Sequence, residues 1–431
     1  MAAASAPARH PPIAFKPISI SVMQPCPTMP CRHPAAKVNG QSAGLEAKSG
    51  TMTHAIDTIT LPHGRPGTSR TVRIHRFGQP GARPKAYIQA GLHAGELPGM
   101  LVAQQLVRHL AALDAAGAVT GEIVLVPMAN PIGLDQMLLG THLGRFDLAA
   151  GVNFNRSFAD LWEPVAQALR NGRAGPLGPD ADANRRLIQQ ALADAALALT
   201  PRTEADALRR LLLLNAVDAD LMLDLHCDSE AAMHLYTTPA CWPDFADLAT
   251  RLGCLAALLA ESSGGEPFDE ACSTPWDRLR ALFDTPETPI PVGCHATTVE
   301  LRGESDVDEG LAAQDAAAII GHLAWRGVLA LPAPTIEVDL TLATPLAAVD
   351  RVRTPVGGVA LYHVALGDQV TAGQHVATVM DPATGERHLC HAGTDGPVWS
   401  RRQCRYAGPG DILLSIAGRK VLVTSGNLLT A

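Results

Sequence analysis

Short apolar runs that stop abruptly at a polar residue constrain this chain more than any other feature. Lys85–Leu92 (KAYIQAGL), Glu122–Met128 (EIVLVPM) and Ala219–Leu225 (ADLMLDL) each have the length of a buried strand. Met233–Thr237 and Thr297–Leu301 are two shorter runs. Between them the spacing turns helical. Leu97, Leu101, Leu106 and Leu110 fall on related faces within Leu97–Leu113, and Asp308–Trp325 is amphipathic with Ser305 or Asp306 as its cap. Strands alternating with helices predict an α/β fold, with a mixed, mostly parallel sheet flanked by helices. In such sheets ligands bind outside the carboxyl ends of the strands. Polar clusters stand at three of those ends: after Leu92, after Leu225 and at Glu300.

The flanking segments differ in texture. Residues 1–51 are rich in Pro, Ala and Ser, lack the apolar core of a signal peptide, and read as a disordered tail or an over-long start, with Met52 a candidate start. Residues 52–332 read as the catalytic domain. Within them Leu161–Arg210 is an Ala- and Arg-rich helical insertion, expected as two helices covering part of the site. From 333 to 431, short runs separated by Gly, Pro and Asp predict a β-rich C-terminal domain. Its two half-repeats, Pro355–Val370 and Asp395–Leu413, resemble the biotinyl/lipoyl barrel-sandwich fold. The turn Asp381–Glu386 holds no lysine, which excludes a swinging-arm carrier.

Composition removes several function classes. The 431 residues are 47% hydrophobic and carry a net charge of −8 with only 4% aromatics, a poor basis for nucleic-acid binding. No apolar run reaches the roughly 18 residues of a membrane span. The nine cysteines form no CxxC pair and are odd in number, which argues against a disulfide framework and for a reducing cytoplasm.

The chemistry concentrates in four places. His93-Ala-Gly-Glu96 sits at a strand-to-helix turn, where an imidazole and a carboxylate can converge on a metal; the alternative is a surface His beside a helix-capping Glu. His226 ends an apolar strand and would complete a His₂Glu set, with Asp224 and Asp228 as the carboxylates near enough to orient an imidazole. Asn153-Phe-Asn155-Arg156 offers a planar guanidinium fork and a directional donor suited to a carboxylate, with Arg145 a second cation upstream. Glu300, in Thr298-Val-Glu-Leu-Arg302, is a general-base candidate; the alternative is an ion pair with Arg302.

The order HxxE, NxNR, strand-end His and late Val-Glu-Leu resembles the zinc carboxypeptidase superfamily. Within it the chain is most similar to the succinylglutamate desuccinylase/aspartoacylase family, from about His54 to the C terminus. The resemblance implies one zinc per chain on His93, Glu96 and His226. It implies Glu300 as general base and proton donor to the leaving amine, Arg145 at the scissile carbonyl, and Asn155 with Arg156 on a substrate carboxylate. The implied activity is hydrolysis of the amide bond, or an ester bond, of a small N-acyl amino acid. A homodimer is the default expectation for assembly. Departures accompany the likeness. The Arg145–Arg156 segment is longer than in aspartoacylases, Asn153 stands where many relatives carry Asp, and Asp284–Thr298 lacks the arginine that leads into the base strand. Tyr362 and Tyr406 are the C-terminal residues considered as visitors to the site. A metallocarboxypeptidase acting on peptides and a zinc-binding protein without turnover are the competing readings.

Overall fold

The computed structural model describes residues 54–332, 335–422 and 428–429. The tail 1–51, the candidate start Met52 and two of the cysteines, Cys26 and Cys31, lie outside the described residues.

The central sheet has nine strands. In chain order these are β1 (Ala55–Thr60), β2 (Thr71–Gly78), β3 (Lys85–Ala90), β4 (Glu122–Val126), β5 (Leu221–Asp228), β6 (His234–Thr237), β7 (Ala256–Leu259), β8 (His295–Gly303) and β9 (Ala343–Pro345). Their spatial order is β1-β2-β4-β3-β5-β8-β6-β7-β9. The pairs β3–β4, β3–β5, β5–β8, β6–β7 and β7–β9 are parallel, while β1–β2, β2–β4 and β6–β8 are antiparallel. The expected mixed, mostly parallel sheet is therefore borne out. β3 and β4 are buried at every residue, as helices on both faces require, and this is why their sequences show no apolar–polar alternation. β9 lies beyond residue 332, so chain downstream of the expected catalytic domain still supplies the last strand of this sheet.

One face is covered by α1 (Leu97–Ala115), α5 (Trp242–Leu252) and α7 (Glu309–Trp325), and the other by α2 (Trp162–Arg170), α3 (Ala181–Ala198), α4 (Glu204–Ala216) and α6 (Phe268–Phe283). The two-residue period decides which side chains meet which face. In β5, Leu221, Leu223 and Leu225 enter the α1/α5/α7 core, while Met222 enters the opposite core. Asp224 and His226 therefore share the α6 side with Met222. In β8, Val299 and Leu301 enter the first core and Ala296 the second, which puts Thr298 and Glu300 on the α6 side as well.

Two local expectations change. The helix after β8 is capped by Asp308, whose carboxylate accepts from Leu311 N at 2.9 Å, and not by Ser305 or Asp306. Asp306 instead turns back to Gly303 N. The insertion Leu161–Arg210 contributes to three helices, not two. The third, α4, starts at a capping box on Thr203 and Asp206 and runs on to Ala216.

The C-terminal strands are antiparallel: β10 (Val349–Arg353), β11 (Gly358–Tyr362), β12 (Gln369–Val370), β13 (His375–Met380), β14 (Arg387–His391), β15 (Gly396–Arg401), β16 (Tyr406–Ala407) and β17 (Ile412–Ala417). They form the path β14-β13-β11-β16 and a second path of β15, β17 and β10, which the two-residue strand Glu230–Ala231 joins at β15. Gly358 and Gly396 open corresponding strands of the two half-repeats. Each has a positive φ, and a Cβ there would lie 2.3 Å from Met380 O and 2.1 Å from Ala417 O respectively. Close backbone contact fixes glycine at both positions.

Candidate metal centre and active site

Three chain segments bring the site together. β3 ends at Ala90, and the chain turns through His93 into α1. Gly99, in the first turn of α1, approaches β5 so closely that a Cβ would sit 2.8 Å from Leu225 O. That approach carries Glu96 across to the end of β5. Glu96 occupies the N-cap position but makes no side-chain cap. Its carboxylate points inward: Oε1 lies 2.9 Å from His93 Nδ1, and Oε2 lies 2.7 Å from His226 Nδ1 while accepting from Cys227 N at 3.1 Å. All three side chains are buried, and their ligand atoms lie within 4.8 Å of one another.

The far ring atoms are also engaged. His93 Nε2 meets Asn153 Oδ1 at 2.7 Å. His226 Nε2 lies 3.0 Å from Asp224 Oδ2. Behind Asp224 a buried chain continues, with Gln89 Nε2 donating to Asp224 Oδ1 and the Tyr87 hydroxyl donating to Gln89 Oε1. Both imidazoles thus turn Nδ1 toward one carboxylate while oxygen acceptors hold Nε2. Metal-ligating histidines are supported in this way, and the N, N, O donor set suits zinc. The electrostatics carry the same tension. Desolvation pushes His93 below its ordinary pKa despite Glu96. The two imidazoles hold Glu96 below the carboxylate range against the penalty of burial. Asp224 and Glu96 together hold His226 above its ordinary pKa, again against burial.

Glu300 is paired in register with His226 across the parallel β5–β8 ladder, so its carboxylate stands beside the His226 ring on the same face. Burial, followed by repulsion from Glu96, pushes its pKa up to about 8. Glu300 Oε2 has no partner. Arg302, the expected ion-pair alternative, turns away on a positive φ and pairs with Asp315.

Arg145 precedes a two-stranded ribbon, Phe146–Asp147 against Val152–Asn153, whose last residue is Asn153. Arg145 Nη1 lies 3.2 Å from Glu96 Oε1 and its side chain is half exposed. Asn155 Oδ1 accepts from Phe268 N, the first residue of α6, while its Nδ2 lies 3.4 Å from His226 Nε2. Arg156 Nη1 donates to Asn155 O. His93, Glu96, Arg145, Asn155, Arg156, His226 and Glu300 all line one cavity of about 300 Å³. All seven candidate residues are therefore brought together.

The cavity has contributors that the sequence reading missed. Asp269, on α6, has its pKa raised to about 7 by burial and by its neighbour Glu270. Arg351, Trp399, Arg401 and Arg402 come from the C-terminal sheets. Tyr362 and Tyr406 do not line it. The Tyr362 hydroxyl donates to Leu413 O, the Arg401 and Arg405 guanidinium groups both stand over its ring, and Tyr406 is exposed. No residue of the insertion lines it either, which corrects the expected cover. The insertion acts from behind, where Arg209 donates to Arg156 O and Asn153 O at 3.1 and 3.2 Å. Only the alternation of Asp224 with His226 was a usable signal for these supporting groups.

Comparison with known proteins gives one family match. The succinylglutamate desuccinylase/aspartoacylase catalytic domain matches residues 82–324. No curated relative matches the chain. Among solved structures, a succinylglutamate desuccinylase/aspartoacylase-type protein from Shewanella frigidimarina is 26% identical, with a TM-score of 0.70 over 85% of this chain and 98% of its own. A family protein from Shewanella amazonensis is 25% identical, with a TM-score of 0.72 over 84% and 98%. The product-bound ectoine utilization protein from Ruegeria pomeroyi, 19% identical over 84% and 95%, shares the fold with a TM-score of 0.56.

Proposed function

Because the chain belongs to the succinylglutamate desuccinylase/aspartoacylase family, we propose that it is a zinc-dependent hydrolase that cleaves the amide bond of a small N-acyl amino acid. The observation that carries the reading is the buried His93–Glu96–His226 set with the partner-free Glu300 carboxylate in register beside His226. His93, Glu96 and His226 would hold the metal. Bound zinc supplies Lewis acidity and lowers the pKa of a water to near neutrality. Glu300 takes a proton from the attacking water and passes it to the nitrogen of the leaving amine. Arg145 places a fixed cation near the oxygen that gains charge. Asn155 and Arg156 hold the substrate carboxylate and orient the scissile bond.

The cavity volume of about 300 Å³ lies at the small end of ligand sites, which favours a small acyl amino acid over a peptide. Residues of the C-terminal sheets wall the cavity, which favours the same conclusion. The seven cysteines among the described residues are free thiols, in keeping with a reducing compartment such as the cytoplasm. Among the described residues no helix is long and apolar enough to cross a membrane.

The test joins metal content to turnover. Wild type should carry about one zinc per chain, and His226→Ala should lose it. Glu300→Gln should keep zinc while hydrolysis of an N-acyl amino acid panel falls about 10²–10⁴-fold. A metal-free wild type after zinc reconstitution, or an undiminished Glu300→Gln, would refute the assignment.

A further inference from the structure

Three histidines from three neighbouring strands meet on the outward face of a C-terminal sheet. His363 directly follows β11, His375 opens β13 and His391 closes β14. His375 and His391 are paired across the β13–β14 ladder, and His363 N donates to Val376 O. Their rings form a row. The His363 and His375 centroids are 4.3 Å apart, and those of His375 and His391 are 5.6 Å apart. A register shift in β13 between His375 and Ala377 makes the row possible. In an unbroken strand His375 and Thr378, three residues apart, would point to opposite faces. The extra residue sends Val376 and Ala377 both into the core and turns His375 to the face of Thr378.

Thr378 marks the point on which two of the rings converge. Its buried hydroxyl lies 2.8 Å from His363 Nε2 and 2.9 Å from His375 Nε2. The hydroxyl has one proton, so it donates to one of these nitrogens and accepts from the other. A transition ion would take both nitrogens as neutral donors at about 2.0–2.1 Å, with the Thr378 side chain turned aside. His363 and His391 are exposed. Among the described residues only the buried His93–Glu96–His226 set already holds three ligand atoms within 4.8 Å of one another, so the third ligand arrives here by rotation of the exposed His391 ring. None of the three histidines lines the active-site cavity.

We propose that His363, His375 and His391 form a second metal site, for a divalent transition ion that favours imidazole, such as zinc, nickel or copper. The ligands are neutral and open to water, unlike the buried set with its carboxylate. The site therefore binds more weakly and exchanges with solution, and gel filtration strips it while the buried ion is retained. A bound ion fastens three strands at one end of the sheet. The inference does not depend on the hydrolase reading.

The test is calorimetric titration of nickel alone into full-length, zinc-loaded, gel-filtered protein. The variants are His375→Asn, His391→Asn, His226→Ala and, as a control, His109→Asn, an exposed histidine on α1. Wild type should bind one further nickel per chain with a Kd of about 10 μM or below. Loss of the central ring in His375→Asn should weaken this at least about 30-fold, and His391→Asn about 10-fold. His109→Asn should change nothing. His226→Ala should still bind nickel at the wild-type affinity of this site, which separates it from the buried set. No saturable nickel binding in wild type below about 1 mM overturns the proposal. An affinity unchanged in either His375→Asn or His391→Asn overturns it as well, and so does its loss in His226→Ala.

Discussion

Asp224→Asn isolates the support of one metal-ligand candidate without changing its shape. Asp224 is fully buried, receives Gln89 Nε2 on Oδ1, and presents Oδ2 3.0 Å from His226 Nε2. Losing the carboxylate behind a metal-bound histidine costs about 10–100-fold in metal affinity, or about 1.4–2.7 kcal/mol. Because Asp224 is fully buried, the lost charge is poorly replaced by solvent, and the loss should fall at the upper end, near 100-fold at pH 8. A second effect opposes it. The same charge holds the His226 pKa up, so in wild type a proton competes with zinc for the imidazole. Asp224→Asn weakens that competition, and the deficit should shrink as pH falls from 8 to 6. Zinc Kd values from competition against a fluorescent chelator at pH 6, 7 and 8 measure both effects. A variant that matches wild type at pH 8, or a deficit that widens toward pH 6, would refute the reasoning.

Two further outcomes can be checked on the protein alone. The folded-state pKa of Glu300 is raised to about 8, so the unfolded chain ionises at lower pH while the native carboxyl stays protonated. Native stability of the metal-free protein is therefore eroded as pH rises from about 4.3 toward that value. Glu300→Gln escapes this, and its gain in Tm should be larger at pH 8 than at pH 5 by calorimetry; equal shifts would contradict the sign. Arg209→Met removes both donors to Asn153 O and Arg156 O. It should cost about 1–3 kcal/mol in urea unfolding and raise KM more than it lowers zinc content; an unchanged KM would remove Arg209 from the support of the loop.

The site residues legible in the sequence are those whose signal is local. His93 follows an apolar strand, His226 and Glu300 lie near the carboxyl ends of two others, and the two-residue period places Asp224 with His226. The supporting contacts that were missed act across long separations. Asn153, already singled out by its motif, supports His93 over 60 residues. Arg209 reaches back to Asn153 and Arg156 from a helix with its own core to fill. Arg351 reads as an ordinary strand arginine until its ladder to β17 turns it to the cavity. Helix count in the insertion was misjudged because Pro201 and Thr203 close one helix and open another within a few residues. The cap on α7 was misplaced because several acidic residues and a serine compete within Glu304–Asp308, and only backbone geometry selects among them.

The central sheet and the C-terminal strands are joined at two places. The chain passes from the edge strand β9 into β10 within a few residues. The short strand Glu230–Ala231 continues from β5 into the ladder of β15, where Glu230 bridges Arg401 and Arg405. Swinging the C-terminal strands outward would tear backbone pairing at one point and a three-charge clamp at another. Traffic to and from the candidate active-site cavity must therefore use side-chain and loop movements, with the far wall stationary. A shortened chain ending before β9 would leave β7 as a raw sheet edge, prone to pairing with other copies. The two regions are thus obligate companions, and exchanging the C-terminal strands between homologues calls for a graft that includes residues 230–231.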